Sequence, residues 1–97
     1  MYYTFQLYDP STNTWEPSVE LTGFRLGFCT ALSQDQRQLY IMGGIDQDAR
    51  KKRLESLDLE TLEWTKLADM SHNRTFSGCS VYGSGLVVGG GWGEFIN

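Results

Sequence analysis

Histidine, cysteine and proline are scarce in this chain: one, two and two among 97 residues. The single histidine, His72, excludes a histidine-based catalytic triad and a multi-histidine metal centre, because the partners are not there. Cys29 and Cys79 are too few for a disulfide scaffold. They point instead to a reduced, intracellular and most simply cytoplasmic setting. Basic residues number eight against twelve acidic ones, for a net charge of −4. A nucleic-acid partner usually requires a basic surface and is not expected. No apolar run approaches the ~18 residues of a membrane-spanning helix, and no membrane partner is expected. The opening residues MYYTFQLYDP carry no basic segment followed by an apolar core, so they do not read as a secretion signal.

Glycine and aromatics are abundant instead. Eleven glycines and 13% aromatics, with 40% hydrophobic residues, fit many short strands joined by tight turns. Those strands are written twice. LYDPSTNTWEPSVELTGFR (7–25) aligns with LDLETLEWTKLADMSHNR (57–74). Asp9 and Asp58, Thr12 and Thr61, Trp15 and Trp64, and Arg25 and Arg74 all share an offset of 49. Beyond the arginines, SQDQRQ faces the shorter YGSG, the offset drops to 47, and Gly43-Gly44 pairs with Gly90-Gly91. A register through Gly89-Gly90 is possible but needs a second indel. FQLYD with TWEP, and LESLD with EWTKL, read as strand pairs; FCTAL with QLYIM, and GCSVY with GLVV, read as hairpins. ARKKRLESLDLETLEW has helical propensity, but the same register in the first copy holds Pro10 and the turn formers DPSTN. The repeat therefore predicts strands throughout.

A period near 50 with four short strands per unit is the pattern of a propeller blade. Arg, an apolar hairpin, Gly-Gly, Asp, Thr and Trp at fixed spacing resembles the kelch repeat family over nearly the whole chain. Val87 departs from it, standing where the first copy has the aromatic Tyr40. The resemblance implies an all-β fold of four-stranded antiparallel kelch-type β-propeller blades. About two blades' worth of strands are present in a permuted frame: the end of one blade (1–24), a complete blade (25–67) and the start of the next (68–97). Physical roles follow for the repeated positions. The glycine pairs permit positive φ and close approach. Trp15 and Trp64 are expected to lie between adjacent blades. Asp9 and Asp58 are expected to cap the turn ahead of each tryptophan strand. Arg25 and Arg74 are expected to bond carbonyls or an acidic residue between blades. Two blades cannot close a ring of about four to eight. The chain is therefore either part of a longer propeller or a homo-oligomerising unit in which one copy completes another's blade.

The resemblance further implies a non-catalytic protein-binding module, a scaffold that in this family often recruits substrates to a cullin-type ubiquitin ligase. An enzyme fragment with its chemistry in other blades is the alternative from a different class. With the four strands of the complete blade (25–67) lettered A to D in chain order, and their counterparts in the other copy likewise, candidate partner contacts are the loops joining strand D to A (Phe24, His72, Asn73) and strand B to C (Asp46, Asp48, Arg50, Lys51, Lys52, Arg53 and Trp92). The run ARKKR holds four of the eight basic residues, so an acidic peptide is the expected partner, against a plain solvated loop. Asp46 and Asp48 alternate as in a calcium loop, but the glycine and glutamate that complete one do not follow. No catalytic residue, metal or cofactor is expected. VGGGWGEF lacks the lysine of a phosphate loop. Trp92 and Phe95 are either rim contacts or packing against a neighbouring blade. Aligned from the arginines, Cys29 matches Gly78 and Cys79 matches Thr30, on opposite faces of equivalent strands. The expectation is therefore two buried thiols and no disulfide, with a redox-sensing thiol as the alternative.

Overall fold

The computed structural model describes residues 4–16, 19–20, 26–45 and 52–92. Every regular element among them is a strand, and every strand pair is antiparallel. Four strands, β1 (Thr4–Phe5), β2 (Tyr8–Asp9), β3 (Thr14–Trp15) and β4 (Val19–Glu20), make an interrupted hairpin. β1 pairs with β4 and β2 with β3, and the Glu16 N–H donates to the Leu7 carbonyl at 2.7 Å between them. Next comes a four-stranded sheet in sequential order: β5 (Cys29–Leu32), β6 (Gln38–Met42), β7 (Leu54–Asp58) and β8 (Trp64–Lys66). β9 (Gly78–Tyr82) and β10 (Gly85–Gly89) form a last hairpin. ARKKRLESLDLETLEW thus gives a strand at Leu54–Asp58 and no helix among its described residues. Central position in a sheet rewards its apolar residues.

The two copies agree in register down to single pairs. Leu32 faces Leu39 in one hairpin, and Val81 faces Leu86 in the other. Leu57 faces Trp64, and Tyr8 faces Trp15. The bridges Leu26 to Ile45 and Thr75 to Trp92 are likewise equivalent, by offsets of 49 and 47. Positive φ angles recur in the same way: Asn13 (56°) with Leu62 (63°), Gly27 (68°) with Phe76 (55°), and Gln36 (61°) with Gly83 (58°). Gly43 and Gly44 (69° and 98°) match Gly90 and Gly91 (72° and 85°). That pairing selects Gly90-Gly91 over Gly89-Gly90. Backbone conformation has been kept even where a leucine or phenylalanine must adopt the left-handed region. These are partial blades of a propeller-type fold.

The core of the described residues lies on the middle strands. Ile41, Met42 and Leu57 are at most 2% exposed, and Ala31 is also buried. Burying each large aliphatic contributes about 1.5–3 kcal/mol. Blades meet face to face, with β5 running beside β9. The Phe76 N–H donates to the Gly27 carbonyl, and the Gly44 N–H to the Arg74 carbonyl, each at 2.7 Å. The buried Thr75 hydroxyl adds a 3.3 Å bond to the Gly27 carbonyl. A Cβ on Gly43 would run into the Arg74 carbonyl oxygen across this seam, and within the last hairpin one on Gly91 would sit 2.7 Å from that of Thr75.

Three expectations need correction. Cys29 and Cys79 are joined in a disulfide, with Cα atoms 6.1 Å apart, inside the usual bridging range. Opposite faces were the right premise with the wrong conclusion. When equivalent sheets stack, the front of one blade meets the back of the next, so residues of opposite parity are the ones that touch. Trp64 does lie between blades, its ring 6.4 Å from Phe5, which also meets Phe28 edge-on at 6.0 Å. Trp15, by contrast, is 63% exposed and leans on its own hairpin's Tyr8. Arg74 does bond a carbonyl, that of Gly90 at 2.8 Å, but within its own hairpin. Its main chain, not its guanidinium, links the blades. Arg25 lies outside the described residues.

Candidate functional site

Antiparallel pairing sends the B–C and D–A connections to one end of every blade and the A–B and C–D turns to the other. At the first end, main-chain bonds stitch the loops together. The Met70 N–H donates to the Lys52 carbonyl at 2.8 Å, and the Gly43 N–H to the Arg53 carbonyl at 2.9 Å. With the Gly44 to Arg74 bond and the Thr75 to Trp92 bridge, residues 52–53, 70–75 and 92 become neighbours. The glycine pairs make this possible, since their positive φ turns the chain out of strand B without a side chain at the crossing.

The expected contact residues fall into three groups. Lys52, His72 and Trp92 are exposed at this end, Trp92 by 64%, and Asn73 is half-buried beside them. Arg53 is half-buried, and its Nε lies 3.4 Å from Oε1 of the buried Glu55, so part of the loop's charge is answered inside the blade. Phe24, Asp46, Asp48, Arg50 and Lys51 lie outside the described residues. Sequence reasoning treated Arg53 as one of four equivalent cations. The signal it missed is alternation: Arg53 and Glu55 stand two apart and share a face.

The opposite end is held by aspartates. Asp58 Oδ1 accepts the N–H groups of Glu60 (2.8 Å) and Thr61 (3.1 Å), and Asp9 Oδ1 accepts the N–H and hydroxyl of Ser11 at 2.9 and 2.6 Å. These turns are capped as the repeat predicts. The bonds to Thr61 and Glu60 hold the Asp58 carboxyl below its ordinary pKa, with the Arg37 guanidinium adding to the effect. Those to Ser11 do the same for Asp9. Arg37 bridges Asp58 (3.2 Å) and Glu60 (3.4 Å). Among the described residues no cluster of three or more His, Cys, Asp or Glu side chains could hold a metal ion, and no helix is long and apolar enough to cross a membrane.

One four-stranded antiparallel sheet, stacked against a hairpin of the same register, with a glycine pair following the second strand of each, defines a propeller-type repeat protein. Residues 27–71 match the family model of the kelch motif. Over 94 residues the chain is 31% identical to the Kelch-like protein terF of Aspergillus terreus, an alignment covering 88% of this chain and 20% of that one. By both likenesses the chain resembles the kelch repeat family. It spans about a fifth of the length of the curated relative it matches.

Proposed function

We propose that the chain is a non-catalytic protein-interaction module that binds an acidic peptide at the end carrying its B–C and D–A loops. The observation that supports this reading most is the main-chain stitching of Met70 to Lys52, Gly43 to Arg53 and Gly44 to Arg74, which joins loops from different parts of the sequence into one surface. On that surface Lys52 offers a cation and Trp92 a large exposed aromatic, a residue type enriched where peptides anchor. Recruitment of substrates to a ubiquitin ligase is the proposed use, in the cytoplasm. Fluorescence polarisation with acidic peptides tests the site. Replacing Lys51, Lys52 and Arg50 by Ser, and separately Trp92 by Ala, should each weaken binding; unchanged affinity in both removes the proposal.

A second reading, assembly with further blades, is favoured by two surfaces. Among the described residues β10 pairs only with β9, and the β2 strand only with β3, whereas the equivalent β6 and β7 pair with each other. By the repeat register, Leu86 would face Tyr8 and Gly85 would face Asp9 in a blade completed between copies. Further repeats of a longer chain would fill the same edge. Light scattering on the 97-residue chain separates the two, because a discrete trimer supports assembly and a monomer or polydisperse aggregate opposes it.

A further inference from the structure

The A–B turns of the two hairpins differ by two residues, and the difference opens a cleft between the blades at the end opposite the proposed peptide surface. Its volume is about 280 Å³, and its walls include Asp35, Gln38, Tyr40, Val81, Gly83 and Ser84. One wall is rigid. The Gln36 N–H bonds the Ser33 carbonyl, the Gln38 N–H bonds the Ser33 hydroxyl, and Asp35 Oδ1 accepts the Ser33 hydroxyl at 2.6 Å and the Arg37 N–H at 3.0 Å. The other wall is the short glycine turn, where a Cβ built on Gly83 would meet nothing within 4 Å. The space is a consequence of the missing side chains and the shorter loop.

The lining decides what fits. No lysine or arginine borders the cleft, and Arg37 nearby is bound to Asp58 and Glu60. The remaining groups are a carboxylate, neutral amides and hydroxyls, a tyrosine ring and the apolar Val81. The hydrogen bonds from Ser33 and Arg37 keep the Asp35 carboxyl below its ordinary pKa, so its negative charge persists at neutral pH. Small-molecule pockets run from about 300 to 1,000 Å³, so this one suits a single side chain better than a whole metabolite. A guanidinium satisfies both features. It pairs with a carboxylate through directed N–H donors and lies flat against an aromatic ring, which an ammonium does less well.

We propose that this cleft is a second binding site, for the arginine side chain of a partner peptide, with Asp35 as counter-charge and Tyr40 as the stacking surface. It stands apart from the loop surface in position and in the sign of the charge it selects. The test is an NMR titration of the full chain with acetyl-Gly-Arg-Gly-amide, its citrulline counterpart and free L-arginine. The arginine peptide should shift the amides of Asp35, Ser84 and Gly85, and citrulline, which keeps the shape without the charge, should not. Free L-arginine binding as well as the peptide would mark the site as one for the amino acid and overturn the peptide assignment. Asp35→Asn should weaken the arginine peptide about tenfold or more. Because Asp35 also caps its own turn, Ser84→Trp provides a second variant that fills the cleft from the other wall, and it should abolish the shifts. Equal binding of citrulline, absence of any shift with arginine, or full affinity in either variant overturns the proposal.

Discussion

Opening the Cys29–Cys79 disulfide should cost this chain much of its stability. The bond closes a separation of 50 residues between β5 of one blade and β9 of the next. In the chain-entropy account, a loop of that length contributes about 4 kcal/mol by restricting the unfolded ensemble. The described core that must otherwise hold the fold is small, with Ile41, Met42, Leu57 and Ala31 its buried apolar residues. Domains of this size are stable by only about 5–15 kcal/mol. Urea unfolding of the oxidised chain, of the same chain in reductant, and of Cys79→Ser measures the effect. With a slope near 2 kcal/mol per molar, the midpoint should fall by roughly 2 M on reduction. Cys79→Ser should match the reduced chain and show no further response to reductant. Superimposable curves for oxidised and reduced protein, or two freely titrating thiols in the folded oxidised sample, would refute the reasoning.

Other expectations concern the repeat itself. Gly43→Ala forces a Cβ against the Arg74 carbonyl at a positive φ and should lose at least about 2 kcal/mol in the same unfolding assay. Leu62 occupies the left-handed region where the first copy has Asn13, so Leu62→Gly should gain about 1 kcal/mol, read as a higher unfolding midpoint. Trp64→Ala removes the ring that meets Phe5 and should cost roughly 2 kcal/mol, whereas Trp15→Ala, largely exposed, should cost far less. Asp9, Asp35 and Asp58 have folded pKa values depressed below 3.8. Their contribution is therefore fully present above the unfolded value and drains away as pH falls through the folded ones. Stability followed by urea titration should be level above about pH 5 and decline below about pH 4; a level profile down to pH 2 would contradict it.

Most of the architecture was legible because backbone demands recur at fixed offsets. Gly-Gly, Asp and Trp each answer a local requirement: a positive φ, a turn cap, a broad apolar surface. Local requirements leave residues behind that can be aligned. What was hidden depends on how one sheet meets another. The parity of Cys29 and Cys79 was read correctly on each strand, yet their meeting follows from stacking, which no single strand records. The exposure of Trp15 and the partial cover over Trp64 have the same origin, since identical residues differ in whether a neighbouring blade lies against them. Of the loop surface, the end of the blade was legible from strand order, while the pairing of Arg53 with Glu55 was masked by reading four cations as one run.

Of the main-chain bonds that join the loops into one surface, the one from the Gly44 N–H to the Arg74 carbonyl crosses the blade seam nearest to them. The scalar coupling between the Gly44 amide nitrogen and the Arg74 carbonyl carbon, measured by NMR on the isotope-labelled chain, reports that bond directly. A resolved coupling, with a slowly exchanging Gly44 amide, is the predicted result. No coupling and an amide exchanging at the rate of an unstructured peptide would mean that the two blades, and the loops they carry, do not meet as described.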